Sequence, residues 1–126
     1  MANSSNVQVT IALKDPDLDN EELQEATERL LQQMRELDEV EDANLVADPN
    51  PQEGSKSLFG FLPGLLMAEV NAKNIQALFG FLGDRLGGKP IELEVEANGK
   101  KLKVTASSQQ ELEAAIQAAE KFVESA

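Results

Sequence analysis

Carboxylates are the side chains of this sequence best supplied for chemistry, and six of them fall into two regularly spaced runs. Asp15, Asp17 and Asp19 alternate as the first ligands of a calcium-binding loop do. A loop of that kind opening at Asp15 needs Gly at position 20 and an acid at position 26. Asn20 and Ala26 stand there instead. A turn followed by a helix N-cap accounts for the same three aspartates. Glu92, Glu94 and Glu96 form the second run. Paired carboxylates do acid–base work when their surroundings drive their pKa values apart. These three lie on one face of a strand opposite lysines, which keep them ionised, so they read as a solvated surface.

Composition removes most other catalytic chemistry. The chain has no His, Cys, Trp or Tyr. Zinc sites of the usual kinds, thiol nucleophiles and Ser-His catalysis all need residues that are missing. The serines lack a base of the usual kind. Gly60, Gly64, Gly80, Gly83, Gly87 and Gly88 form no nucleotide-binding fingerprint, and Gly88-Lys89 lacks Walker spacing. We therefore expect no enzyme activity, no catalytic residue, no metal site and no cofactor.

Charge narrows the partners. With 23 acids against 11 bases the net charge is −12. Such a surface repels nucleic acid phosphates and anionic headgroups. The absence of Cys fits a reducing compartment, and Met1 to Asn6 has no basic or apolar signal region. The expected location is cytoplasmic, with no membrane span.

The elements that position these groups follow from periodicity. Val7, Val9, Ile11 and Leu13 alternate with more polar residues and predict a half-buried strand after a frayed end at 1–6. Asp19 and Glu22 form a capping-box pair. Leu23, Ala26, Leu30, Met34 and Leu37 give the stripe of a helix of about 18 residues. The acids Glu36, Asp38, Glu39, Glu41 and Asp42 crowd its exit. They read as a solvated turn or, more sharply, as a docking patch for a basic partner. Ala43 to Asp48 reads as a short strand, and 49–57 as a flexible loop containing Pro49 and Pro51.

Leu58 to Leu86 is the least charged part of the chain. It contains Leu-Phe-Gly-Phe-Leu twice, at 58–62 and 78–82. Pro63 suits the first turn of a helix, so a turn at 58–62 and a short helix over 63–70 are expected. A second helix over 72–86 buries Ile75, Leu78, Phe79, Leu82 and Leu86. Leu58, Phe59, Phe61, Leu62 and Phe81 are left without an interior. They are the candidate partner-binding residues, because exposed apolar patches mark interfaces.

The last third is the most regular. Ile91, Leu93 and Val95 alternate with the glutamates, and Asn98-Gly99 is a two-residue hairpin signal. Folding there sets Val95 opposite Leu102, Leu93 opposite Val104, Glu96 opposite Lys101 and Glu94 opposite Lys103. Ser108 and Glu111 then cap a helix with the stripe Leu112, Ala115, Ile116, Ala119, Phe122 and Val123.

The order strand, helix, strand, two helices, strand, strand, helix predicts one α+β domain over 1–126. Its expected form is a two-layer sandwich with a four-stranded mixed sheet and helices on one face. The helix between the first two strands suggests a parallel βαβ unit.

Several segments together resemble a family of small prokaryotic proteins, the effector-associated constant component of predicted bacterial conflict systems. They are the first strand and acidic helix, Asp-Pro-Asn-Pro-Gln-Glu-Gly at 48–54, the apolar central segment, and Leu-Gly-Asp-Arg-Leu-Gly-Gly-Lys-Pro-Ile-Glu-Leu-Glu-Val-Glu at 82–96. The Asn-Gly hairpin and the Ser-capped last helix complete them. Phe81 and Arg85 stand where family members often carry Trp and several Arg. The resemblance implies a non-catalytic adaptor that associates with an effector or signalling module. The expected partner is a protein, including a second copy as a homo-oligomer, and not nucleic acid. The alternative expectation is a small apolar-ligand-binding domain with the 49–70 segment as its lid.

Overall fold

The computed structural model describes residues 6–47 and 60–126. The expected flexible loop at 49–57, and Leu58 and Phe59, lie outside the described residues. The elements are β1 (Asn6–Leu13), α1 (Asn20–Arg35), β2 (Val40–Ala47), β3 (Phe61–Asn71), a 3-10 turn (Ala72–Asn74), α2 (Ile75–Leu86), β4 (Ile91–Ala97), β5 (Lys100–Ala106) and α3 (Gln109–Ser125). They form an α+β fold with one five-stranded antiparallel open sheet and three helices. The strand order is β2-β3-β1-β4-β5.

The sheet has one more strand than expected, and no parallel pair. Residues 61–71 form β3 where a turn and a short helix were predicted. Gly64, Leu66, Ala68 and Val70 are buried while the residues between them are half-buried. That is the period of a strand, but apolar side chains on both faces of 62–68 turn it into a continuous oily run. Such a run does not separate strand from helix. Pro63 falls where β2 and β3 lose register, between the pairs Leu45–Leu66 and Ala47–Phe61. Its missing N–H is tolerated there.

β3 also resolves the expected βαβ unit. It pairs antiparallel with both β1 and β2. The two strands joined by α1 therefore run parallel, but with β3 between them, a split βαβ connectivity.

Local chemistry explains the helix ends. The Asp19 carboxylate accepts from the Glu22 N–H at 2.8 Å, and the Glu22 carboxylate accepts from the Asp19 N–H at 2.9 Å. This reciprocal box fixes the start of α1. The buried face of α1 is turned from the expected stripe: Gln24, Thr27, Leu30, Leu31 and Met34 face inward. Two polar residues there obscure the pattern. Thr27 satisfies itself by donating to the Leu23 carbonyl at 2.6 Å. α1 ends at Arg35, and β2 begins at Val40 rather than Ala43, so Glu41 and Asp42 belong to a strand and not to an exit turn.

The β4–β5 hairpin has the expected register, including Val95 opposite Leu102 and Glu94 opposite Lys103. Asn98 at φ 52° and Gly99 at φ 76° give two consecutive positive angles, the signature of the type I′ turn. Its ion pairing differs from expectation. Lys103 Nζ lies 3.9 Å from Glu92, diagonally across the strands, and Lys14 Nζ approaches the same carboxylate at 3.9 Å.

The core lies on one face of the sheet. Val7, Val9 and Ile11 of β1, Leu66, Ala68 and Val70 of β3, and Ile91, Leu93 and Val95 of β4 join the buried residues of all three helices in a single cluster. α2 contributes Ile75, Leu78, Phe79, Leu82 and Leu86, the stripe read from sequence. Phe79 is the largest of the side chains that are essentially sealed from water among the described residues. At about 1.5–3 kcal/mol for each large apolar side chain buried, this layer dominates the stability of the fold.

Candidate functional site

Antiparallel pairing fixes which side chains share the other face of the sheet. Reading across the strands, Asp42, Glu69, Gln8, Glu96 and Lys101 form one row. Asn44, Met67, Thr10, Glu94 and Lys103 form the next. Leu65, Ala12, Glu92 and Thr105 form a third. Among the described residues, no helix packs on this face. Leu65 and Met67 are half-buried and take no part in the core cluster. They sit beside Ala12, which is 6 % exposed. The face thus has an apolar centre, carboxylates around it, and lysines along the β5 edge.

One hydrogen-bond group organises the acidic side. Asn6 Nδ2 lies 3.1 Å from a Glu41 oxygen and 2.8 Å from a Glu69 oxygen. The amide thereby ties β1, β2 and β3 together at their shared end. Asn6 was expected within a frayed terminus, and is instead the first residue of β1. Arg35, the last residue of α1, donates to the Ala43 carbonyl at 2.9 Å and to the Asn44 side chain at 3.2 Å, fastening β2 to the helix layer.

A cavity lies in the helix layer, between α1 and the C-terminal end of α2. It encloses about 240 Å³. Leu13, Leu18, Leu30, Leu86 and Pro90 supply its apolar lining. Arg29, Arg85 and Lys89 supply positive charge, and Asp15 a carboxylate. The Arg85 guanidinium carbon is 5.4 Å from the centre of the Phe81 ring, within cation–π range. No described residue between 60 and 70 lines this cavity, so it does not lie beneath the segment expected to act as a lid.

Of the five candidate partner-binding residues, the three that are described lie in two different layers. Leu58 and Phe59 lie outside the described residues. Phe61 and Leu62 open β3 in the sheet and are half-buried. Phe81 belongs to the helix layer, where it packs against the core beneath Arg85. It is half-buried there and lies off the buried stripe of α2. The i, i+4 spacing of Phe81 and Arg85 was available in sequence and explains their contact.

The carboxylate runs have structural duties. Asp15 accepts from the Asp17 N–H at 3.0 Å, an Asx-type turn, and Asp19 caps α1. Among the described residues no group of three or more acids is arranged to hold a metal ion. Leu65, Met67, Arg29 and Lys89 were missed as site residues. For the first pair the signal was hidden, because Leu65-Leu66-Met67-Ala68 is apolar throughout and shows no alternation. For Arg29 and Lys89 there was none, because they meet only through the fold.

No helix among the described residues is long and apolar enough to cross a membrane. Compared with family models, curated proteins and solved structures, the chain matches none.

Proposed function

We propose that this chain is a non-catalytic adaptor that works by protein–protein association with an effector or signalling module. The supporting observation is the open face of the sheet, where Leu65 and Met67 sit at the centre of a polar, largely acidic surround. An apolar middle with a charged rim is the anatomy of a protein interface. The rim selects a partner with a basic surface and speeds its approach at low salt. The resemblance to the effector-associated constant component points to the same role. Non-catalytic action also agrees with a sequence that lacks His and Cys.

The test places a photoreactive side chain at Met67 and, as control, at the exposed Gln117 of α3. Crosslinking in native cells is expected to give a discrete adduct from position 67 only. Leu65→Glu should remove that adduct without altering the unfolding curve, and an adduct of twice the chain's mass identifies a second copy. Equal labelling from both positions, or an adduct indifferent to Leu65→Glu, rejects the open face as the contact surface.

A further inference from the structure

Three of the chain's eleven bases meet at one cavity. Arg29 comes from α1, Arg85 from the last turn of α2, and Lys89 from the turn before β4. In a protein of net charge −12 this is a local reversal of sign. The single carboxylate in the lining, Asp15, is already engaged by the Asp17 N–H. Among the described residues none of the three cations lies within ion-pair distance of a carboxylate: the ion pairs there join Lys14 and Lys103 to Glu92.

Arg85 is also oriented. Contact with the Phe81 ring limits how its guanidinium can turn. A guanidinium so placed has its donors at its edge, the arrangement that grips a carboxylate through two parallel bonds. Behind the charges the lining is apolar, with Leu30 5 % and Leu86 4 % exposed.

We propose that this cavity binds a small organic carboxylate with a short apolar body. Arg85 and Arg29 hold the head, Lys89 adds to the positive field, and the tail lies on Leu13, Leu30 and Leu86. Size and charge select this class. The volume of about 240 Å³ suits a small ligand. It is below the range of about 300–1,000 Å³ that takes drug-sized ligands, which favours a smaller one. An inorganic anion leaves the apolar lining unused, and a cationic amphiphile is repelled. The site shares no residue with the open sheet face and stands independently of the association proposed there.

Hexanoate, with eight non-hydrogen atoms, is the probe. Its titration into the ¹⁵N-labelled protein, followed by NMR, is expected to give saturable shifts at the Leu13, Leu86 and Lys89 amides and at Arg85 Nε. Hexanamide and the Arg85→Gln variant should each bind about tenfold more weakly, the scale of one lost charge-assisted hydrogen bond. Hexylamine should not bind, acetate should bind more weakly than hexanoate, and Lys121→Gln on the far helix should change nothing. A dispersed spectrum certifies that each variant is folded, and Arg29→Gln and Lys89→Gln provide the same test should Arg85→Gln fail to fold. Absence of saturation, equal binding of hexanamide, or shifts centred on the separate depression lined by Lys73 and Glu120 would overturn the assignment.

Discussion

Gly64 passes so close to Leu13 that a Cβ built on it would stand 2.9 Å from the Leu13 carbonyl oxygen. The obstacle is backbone, which cannot swing aside as a side-chain tip does. Gly64 also has φ +83°, a conformation that L-residues adopt at a cost. Two independent penalties thus fall on one position, at the irregular entry to β3. Gly64→Ala is expected to destabilise the fold by at least about 1–3 kcal/mol. The midpoint of urea unfolding measures it, and an unchanged midpoint would mean that β3 enters the sheet by another path.

Gln24 should give the opposite result. It is 4 % exposed, and its Oε1 has no hydrogen-bond partner among the described residues, although its Nε2 donates to Glu28 at 3.1 Å. A buried, unsatisfied acceptor costs about 1–3 kcal/mol, while the bond to Glu28 returns about 0.5–1.5. Gln24→Met keeps the length of the side chain and removes the acceptor. It is expected to raise stability by about 1 kcal/mol, read from the same unfolding curves. Destabilisation by that amount would show that Oε1 is satisfied in solution.

Glu111 couples the start of α3 to pH. Its carboxylate accepts from the Ser107 N–H at 2.8 Å and from the Ser107 hydroxyl at 2.9 Å. The backbone bond first, and the hydroxyl second, hold its pKa below the ordinary glutamate value. A carboxylate whose pKa is lower folded than unfolded binds fewer protons in the folded state. Its contribution is therefore complete above the unfolded pKa and is lost as pH falls through the lowered folded one. Glu111→Gln is expected to lower stability near neutrality and to flatten the acid side of a stability–pH profile. Parallel profiles for the two proteins would show that the bond carries no linkage.

The β4–β5 turn tests the hairpin. Asn98 occupies the left-handed region at φ 52°, a region entered readily by Gly and Asn and poorly by β-branched residues. Asn98→Val is expected to cost about 1–2 kcal/mol. Asn98→Gly should stay close to the parent. Amide exchange at Leu102 and Val104, whose N–H groups face β4, should accelerate in the Val variant alone. Equal exchange in both variants would place the turn outside the determinants of this edge.

Much of this molecule was legible before its fold. The hairpin register follows from period two and Asn98-Gly99, both local signals. The α2 stripe follows from period 3.6, and the caps at Asp19 and Ser108 from short-range chemistry. β3 was misread because a central strand that is apolar on both faces loses its alternation, and Pro63 imitated a helix start. That single misreading carried the strand count, the mixed sheet and the adjacent parallel pair with it. The cavity cations were illegible for another reason. Arg29, Arg85 and Lys89 lie up to 60 residues apart in the chain, and no local pattern announces a meeting made by tertiary packing. Helical spacing puts Phe81 off the α2 stripe, and there it is half-buried at the margin of the core.

The place of β1 in the sheet has a further consequence, for the order in which the protein is made. Val9 pairs with Ala68 on one side and Val95 on the other. Both partners are encoded far downstream of it. At about 5–20 residues per second, a ribosome delivers Ala68 about 3–12 s after Val9, and Val95 about 4–17 s after it. Throughout that interval the first strand, with Val7, Val9 and Ile11 destined for the sealed core, has neither sheet neighbour. The α1 helix can form beside it at once, but the β4–β5 hairpin must be synthesised before the second side is closed. Nascent β1 is thus an unpaired strand, open to mispairing, until both partners have been made.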